Sequence, residues 1–469
     1  MNCKNFLVAC MCLCALPLMA AQHYAIKVQA PQLKEQKLYL GQYYMGKLYT
    51  QDSLQVDKKG KGVFTAAHTL PQGMYVLYLK SGNYVDLLIS DDQVFTVQLD
   101  TLQMDKNLRI EGSAQSEDFL SYTRYLVDKQ KQMNELTAQY KDSMQTDKAA
   151  IQAKINLLSA DVKTKQMELV QKYPDGMLGL FLKGLMVPEL PAWTDSVNCA
   201  NPDSCRSMHR YLFYKKHYLD NIALSDVRTF RTPYIVNTLN TYLDKVLLQI
   251  NDSIIPSALE MIEKSRGNDT TFQIVAGHVL NYAVKSKIMG MDNLLVEVGN
   301  RYYLSGLATW ADSTLKSNIE KEIHKIERSL IGMQAHNIAL ADSSNVYHYL
   351  YQLGGTQLTV LYFYEPSCGH CRKTTPVLAQ FAKKYQNDPR IKIVAVYMLE
   401  DKEEWQKFVK EHDMSALVNV WDPRRVSNYW YWYDTSITPM MYVMDAEHKL
   451  FAKKIDVETL ERIAQYELK

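Results

Sequence analysis

The stretch Leu358–Pro376 reads L-T-V-L-Y-F-Y-E-P-S-C-G-H-C-R-K-T-T-P. Its first seven residues, Leu358–Tyr364, are apolar, β-branched or aromatic and predict a buried strand. Glu365-Pro366-Ser367 breaks it, and Cys368-Gly369-His370-Cys371 opens a helix. A C-x-x-C pair on a strand-to-helix turn is a redox dithiol pattern. The first cysteine meets the unpaired N–H groups and positive dipole end of the helix, which favour a thiolate. The second lies one turn deeper, where it closes a disulfide or resolves a mixed one.

Around this stretch the pattern is α/β. A helix is expected over 371–385, bent by Pro376, then a strand over 391–399. A helix over 401–412 follows, with Asp401 as N-cap and Trp405, Phe408 and Val409 on its buried face. A run of five aromatics, Tyr429–Tyr433, precedes Thr438-Pro439 and the strand Met440–Met444. A strand over 450–455 and a helix over 457–468 close the chain, giving the order β-α-β-α-β-β-α.

The chain has 469 residues, which points to two to four domains. Its net charge of +2 gives no electrostatic case for nucleic acid. Residues 1–21 read as a signal peptide: Lys4, the apolar run Phe6–Leu16, Pro17, then small residues before Gln22. A rival reading is a lipid anchor at Cys10, but that leaves a short apolar core. The mature chain keeps Cys199, Cys205, Cys368 and Cys371. Export implies an oxidising compartment, where Cys199 and Cys205, close together in one loop, read as a structural disulfide. A zinc site built from all four is disfavoured because the two pairs fall in different domains by pattern. No metal site and no cofactor is expected.

Residues 22–115 carry short strands at roughly ten-residue spacing and no convincing helix, which predicts a small antiparallel sandwich or barrel. Residues 116–329 switch to helical periodicity and form a mainly α domain. Two long helices with a solvated face are expected on either side of the polar stretch 129–147. Further helices are expected over 206–218, 233–251, 257–264, 271–288 and 294–328. The fold class is therefore multi-domain: an all-β sandwich-like domain (22–115), a helical domain (116–329) and an α/β domain (330–469).

The element order, C-G-H-C and a proline just before the third core strand resemble the TlpA/ResA-like branch of exported thioredoxin-fold thiol–disulfide oxidoreductases. The resemblance covers residues 330–469. More loosely, the layout is similar to multi-domain proteins in which a small β domain and a helical domain of unknown function come first. The resemblance implies that Cys368 is the nucleophile and Cys371 the resolving cysteine. It also implies that Thr438-Pro439 carries a cis-proline that lies against the dithiol and presents backbone to a bound substrate chain. Protein or peptide thiols and disulfides are the implied substrates, a periplasmic or membrane redox protein the implied partner, and the periplasm the implied location.

Three departures bear on the chemistry. Ser367 stands where the family commonly has Trp. Tyr362 stands where thioredoxins often carry a buried acid, and it cannot accept a proton the same way near neutral pH. Glu365 is a substitute for that acid or, as we expect, an exposed turn residue. Gly369-His370 resembles the pair in protein disulfide isomerase; His370 near a helix N-terminus favours the thiolate, or it is an exposed side chain with little effect. A stabilised thiolate makes the disulfide more oxidising, so a potential above thioredoxin's roughly −270 mV is expected, nearer about −200 mV. Direction of electron flow is not encoded in C-x-x-C. The other reading is a binding or scaffold protein with a structural thioredoxin-like domain. A thiol peroxidase is disfavoured, since Glu365 replaces the Thr expected three residues before a peroxidatic cysteine. The aromatic run reads either as a substrate-docking surface or as packing against the helical domain.

Overall fold

The computed structural model describes residues 23–99, 107–142, 145–192, 201–286 and 288–469. These described residues form two compact units, one within 23–192 with 216–240, the other within 201–215 with 241–469. The region 116–329 is thus shared between the two units. The leader, Cys10 and Cys199 lie outside the described residues.

The first unit begins with β1 (Tyr24–Gln29), β2 (Lys37–Tyr44), β3 (Lys47–Gln55), β4 (Lys61–Ala66), β5 (Gly73–Tyr78), β6 (Tyr84–Ile89), β7 (Val94–Gln98) and β8 (Arg109–Glu111). They make two four-stranded sheets, β4-β1-β7-β8 and β3-β2-β5-β6. Alternation sets the faces: Tyr24, Ile26 and Val28 point inward from β1, Leu38 and Leu40 from β2, Tyr75 and Leu77 from β5, all into one core. The sandwich expectation holds with one correction. β1 and β7 run parallel, joining the two ends of the domain, so the sandwich is mixed rather than antiparallel.

Sequence periodicity misses β3, because this edge strand is exposed or half-buried along its whole length and no apolar face marks it. Its entry is written in backbone chemistry instead. Met45 (φ +48°) and Gly46 (φ +70°) form a two-residue hairpin turn with both central residues left-handed, pairing Tyr44 with Lys47. A β-carbon on Gly46 would also sit 3.2 Å from Val236 Cγ2. Gly46→Val should therefore lower stability by about 1–2 kcal/mol in chemical denaturation.

Helices α1 (Ala114–Asp142) and α2 (Gln145–Lys172) are the two long helices expected, followed by α3 (Met177–Gly184). Lys129 pairs with Asp161 at 2.5 Å between α1 and α2. Phe119, Tyr122, Leu169, Met177, Leu178 and Leu182 cover Met74 and Leu88 on the outer face of the second sheet. Next come α4 (Pro202–His217) and α5 (Ile235–Thr241).

In the second unit α6 (Asn251–Lys264) and α7 (Asp269–Lys285) match the expected stretches with earlier starts. The helix expected over 294–328 is instead three pieces: α8 (Met291–Val298), a π-turn (Gly299–Leu304) and α9 (Ser313–Ile326). Gly306 at φ +88° interrupts it, and the Asp312 carboxylate accepts the Leu315 N–H at 2.7 Å to start α9.

The remaining elements are β9 (Ala339–Ala341), β10 (Tyr347–Tyr349), α10 (Leu350–Leu353), β11 (Leu358–Tyr364), α11 (Gly369–Lys384), β12 (Ile391–Tyr397), α12 (Lys402–Glu411), β13 (Val418–Trp421), α13 (Tyr429–Trp432), β14 (Met440–Met444), β15 (Leu450–Lys453) and α14 (Val457–Glu467). One sheet runs β10-β9-β13-β12-β11-β14-β15. β11, β12 and β13 are parallel; β14 and β15 are antiparallel. β9, β10 and β13 go beyond the expected order and are three to four residues long, too short to show a period. β11 is buried on both faces. Val360, Tyr362 and Tyr364 pack under α11, α12 and α14, while Leu361 and Phe363 face the other core with Tyr429 and Tyr433.

A buried ion pair ties α8 to β15. Lys453, 2% exposed, contacts Asp292 at 2.6 Å and donates to the Ser329 carbonyl at 2.9 Å. Among the described residues no helix is long and apolar enough to cross a membrane.

Candidate active site

The end of β11 sets the site. The turn Glu365–Ser367 closes with the Cys368 N–H donating to the Glu365 carbonyl at 3.2 Å. Cys368 is the N-cap of α11, and its sulfur accepts the Cys371 N–H at 3.4 Å. Arg372 Nε donates to the Pro366 carbonyl at 2.7 Å, bracing the turn from inside the helix. Both cysteines are free thiols, Cys368 half-buried and Cys371 buried.

Their protonation is split. Burial pushes the Cys368 thiol up, but hydrogen bonds from the Thr438 side chain and from the Cys371 and His370 backbone outweigh it, and the net shift is downward. Burial pushes the Cys371 thiol up to about 12. One sulfur is thus accessible and shifted toward the thiolate, while its neighbour is held as a thiol inside the core, the division that stepwise disulfide exchange requires.

The loop before β14 faces the pair. Thr438-Pro439 is a cis peptide, and the Cys368 thiol donates to the Thr438 carbonyl at 3.2 Å. The structure thus brings Cys368, Cys371, Thr438 and Pro439 together from positions far apart in sequence. The Gly369–His370 pair faces solvent. Residue 370 acts on the sulfur through its backbone N–H, while its imidazole is exposed. Cys205 is disulfide-bonded.

Two neighbours modify the expectation for buried acid. Tyr362 is fully buried, shares a hydrogen bond with Thr375 Oγ1 at 2.9 Å, and burial holds its hydroxyl well above the usual tyrosine range. Glu365 is half-buried rather than exposed, because its Oε1 accepts the Thr438 hydroxyl at 2.8 Å. That contact spans 73 residues, and neither spacing nor periodicity marks it.

The aromatic run divides between its two readings. Tyr429 and Tyr433 belong to the core on one side of β11. Trp432 stacks on His336 with ring centres 3.4 Å apart. Trp430 and Tyr431 are about half exposed and, with Lys321, Lys325 and Arg328, line an open groove of about 620 Å³. Arg328 lies 4.0 Å over the Tyr431 ring.

Parallel strands followed by an antiparallel pair, a dithiol capping the first helix and a cis-proline against it define a thioredoxin-type fold. Residues 355–450 match the family model described as thioredoxin-like, so the chain carries a thioredoxin-like domain. Residues 24–119 match a domain of unknown function, DUF4369. Among solved structures, a thioredoxin-like protein from Bacteroides caccae is 18% identical, aligned over 60% of this chain and 99% of that one, with a TM-score of 0.45. A domain of a "possible thiol-disulfide isomerase" from Cytophaga hutchinsonii is 32% identical over 29% of this chain and 93% of that one (TM-score 0.28). A thiol-disulfide oxidoreductase from Bacteroides fragilis is 17% identical over 29% and 98% (TM-score 0.27). None of the curated proteins matches the chain.

Proposed function

We propose that this protein is an exported thiol–disulfide oxidoreductase acting on protein disulfides through Cys368 and Cys371. The observation that carries the reading is the split between the two thiols, one lowered at a helix N-terminus beside a cis-proline and one raised by burial. The Cys368 thiolate attacks a substrate disulfide, forming a mixed disulfide and releasing one substrate thiolate, which takes a proton. Cys371 loses its proton and attacks Cys368 Sγ, releasing the second substrate thiolate and leaving the Cys368–Cys371 disulfide. Two electrons pass from the dithiol to the substrate, and the reverse sequence introduces disulfides. The backbone beside Pro439 receives the substrate chain, and export follows from the reading of residues 1–21 as a signal peptide.

Cys371→Ser tests this directly. It removes the resolving thiol and leaves the nucleophile, so mixed disulfides with client proteins should accumulate. They should appear as dithiothreitol-sensitive adducts on non-reducing gels, with the linkage at Cys368 by mass spectrometry. Absence of such adducts, with Cys368 still alkylatable, counts against the reading.

A further inference from the structure

Thr438 has one hydroxyl hydrogen and more than one acceptor for it. Its Oγ1 donates to Glu365 Oε1 at 2.8 Å. The hydroxyl belongs to the residue whose carbonyl accepts the Cys368 thiol at 3.2 Å, so it sits beside the sulfurs, where a bond from it favours the thiolate of each. A hydroxyl donates one hydrogen at a time, so the bond to the carboxylate and a bond to sulfur exclude one another. We propose that Glu365 is a positioning residue that sets the stability of the Cys368 thiolate by drawing the Thr438 hydroxyl hydrogen away from the sulfur. This deepens the oxidoreductase reading and rests on it.

Three facts single out Glu365. Its place is fixed by its own backbone, whose carbonyl accepts the Cys368 N–H at 3.2 Å. The other polar groups around the dithiol on β11 are engaged elsewhere: Tyr362 with Thr375, and Tyr364 accepting from Trp405 Nε1 at 3.1 Å. A carboxylate oxygen is a charged, strong acceptor and sulfur a weak one, so the carboxylate takes the larger share of the hydrogen. The thiolate then has the Thr438 hydroxyl for only part of the time and otherwise relies on the backbone N–H groups of the helix start. Less thiolate stabilisation means a less stable reduced form and a less oxidising disulfide than a free Thr438 hydroxyl would give. Glu365 thus restrains the dithiol, and Thr438 is its handle.

The test uses the full chain as wild type, Glu365→Ala, Glu365→Gln, Thr438→Val and Glu365→Ala with Thr438→Val. Each is titrated against reduced and oxidised glutathione, reading the peptides that carry Cys368 and Cys371 by alkylation and mass. The pH profile of Cys368 alkylation is recorded in parallel. Glu365→Ala should raise the oxidising equilibrium constant about tenfold, about 30 mV for a two-electron couple, and move the alkylation profile to lower pH. Glu365→Gln keeps the shape and a weaker acceptor, so its shift should be smaller in the same direction; it carries the test if the alanine variant melts early. With Thr438→Val in place, Glu365→Ala should add less than twofold. A Glu365→Ala value within twofold of wild type overturns the inference, as does a tenfold shift that persists without the Thr438 hydroxyl. If wild type never exchanges with glutathione, the oxidoreductase reading falls, while the alkylation profiles still decide the role of Glu365.

Discussion

Cys368→Ser should abolish disulfide exchange, lowering the rate of reduction of a model disulfide by at least about a thousandfold. The thiolate is the nucleophile, and a serine hydroxyl does not ionise in the accessible range. The magnitude follows from the asymmetry of the pair. Cys371 cannot take over, because it is buried and its thiol is pushed up to about 12. An unperturbed cysteine is only a few per cent thiolate at pH 7, and Cys371 is far less than that. Cys368, by contrast, is lowered. Iodoacetamide should therefore label Cys368 with a midpoint below the roughly 8.5 of a free cysteine, while Cys371 stays unlabelled across the neutral range. Equal labelling of both cysteines in the native reduced chain, or exchange surviving in Cys368→Ser, would remove the basis for assigning the nucleophile.

The legible parts of this site are those whose physics is local. A run of seven residues buried on both faces has no charged member to mistake for a surface strand, so the bounds expected for β11, Leu358 to Tyr364, match the structure. The C-x-x-C spacing fixes one helical turn, and Asp401 capped the next helix as expected by accepting the Glu403 and Glu404 N–H groups. What stayed hidden is carried by contacts distant in sequence or by backbone conformation. Glu365 looked like an ordinary turn glutamate because its partner Thr438 is 73 residues away. The aromatic run defied a single reading because a one-turn helix turns successive rings in different directions, sending Tyr429 and Tyr433 inward and Trp430 and Tyr431 outward. β3 carries no apolar stripe at all, and the left-handed pair Met45–Gly46 that creates it is a conformational signal rather than a hydrophobic one.

Asp292→Ala should cost about 3–5 kcal/mol of stability in the unit that carries the dithiol. The wild-type Lys453 ammonium is 2% exposed and held by Asp292 at 2.6 Å and the Ser329 carbonyl at 2.9 Å. Lys454 reaches the same carboxylate at 3.5 Å, and Asp434 at 3.4 Å. Removing Asp292 leaves a buried cation with one neutral acceptor, and the loss is the desolvation cost of that cation rather than the net worth of the pair. Adding Lys453→Met to Asp292→Ala removes the stranded charge as well, so the double variant should recover most of the loss. The pH dependence gives a second reading. Burial raises the Asp292 carboxyl, but Lys453 pulls it below the usual range overall. Its stabilisation is present above its unfolded value of about 3.9 and is lost as pH falls through the lower folded value, so wild type should weaken from this source only below about pH 4. In Asp292→Ala the depressed group is Lys453, whose folded value burial already lowers. Between that value and the unfolded value of about 10.4 the unfolded chain binds more protons, so stability should rise with pH. The deficit of Asp292→Ala against wild type should therefore narrow from pH 7 to pH 10 in urea titrations. A deficit that is constant over that range, or a double variant as damaged as Asp292→Ala, would mean that Asp292 acts through its helix and not through the buried ammonium.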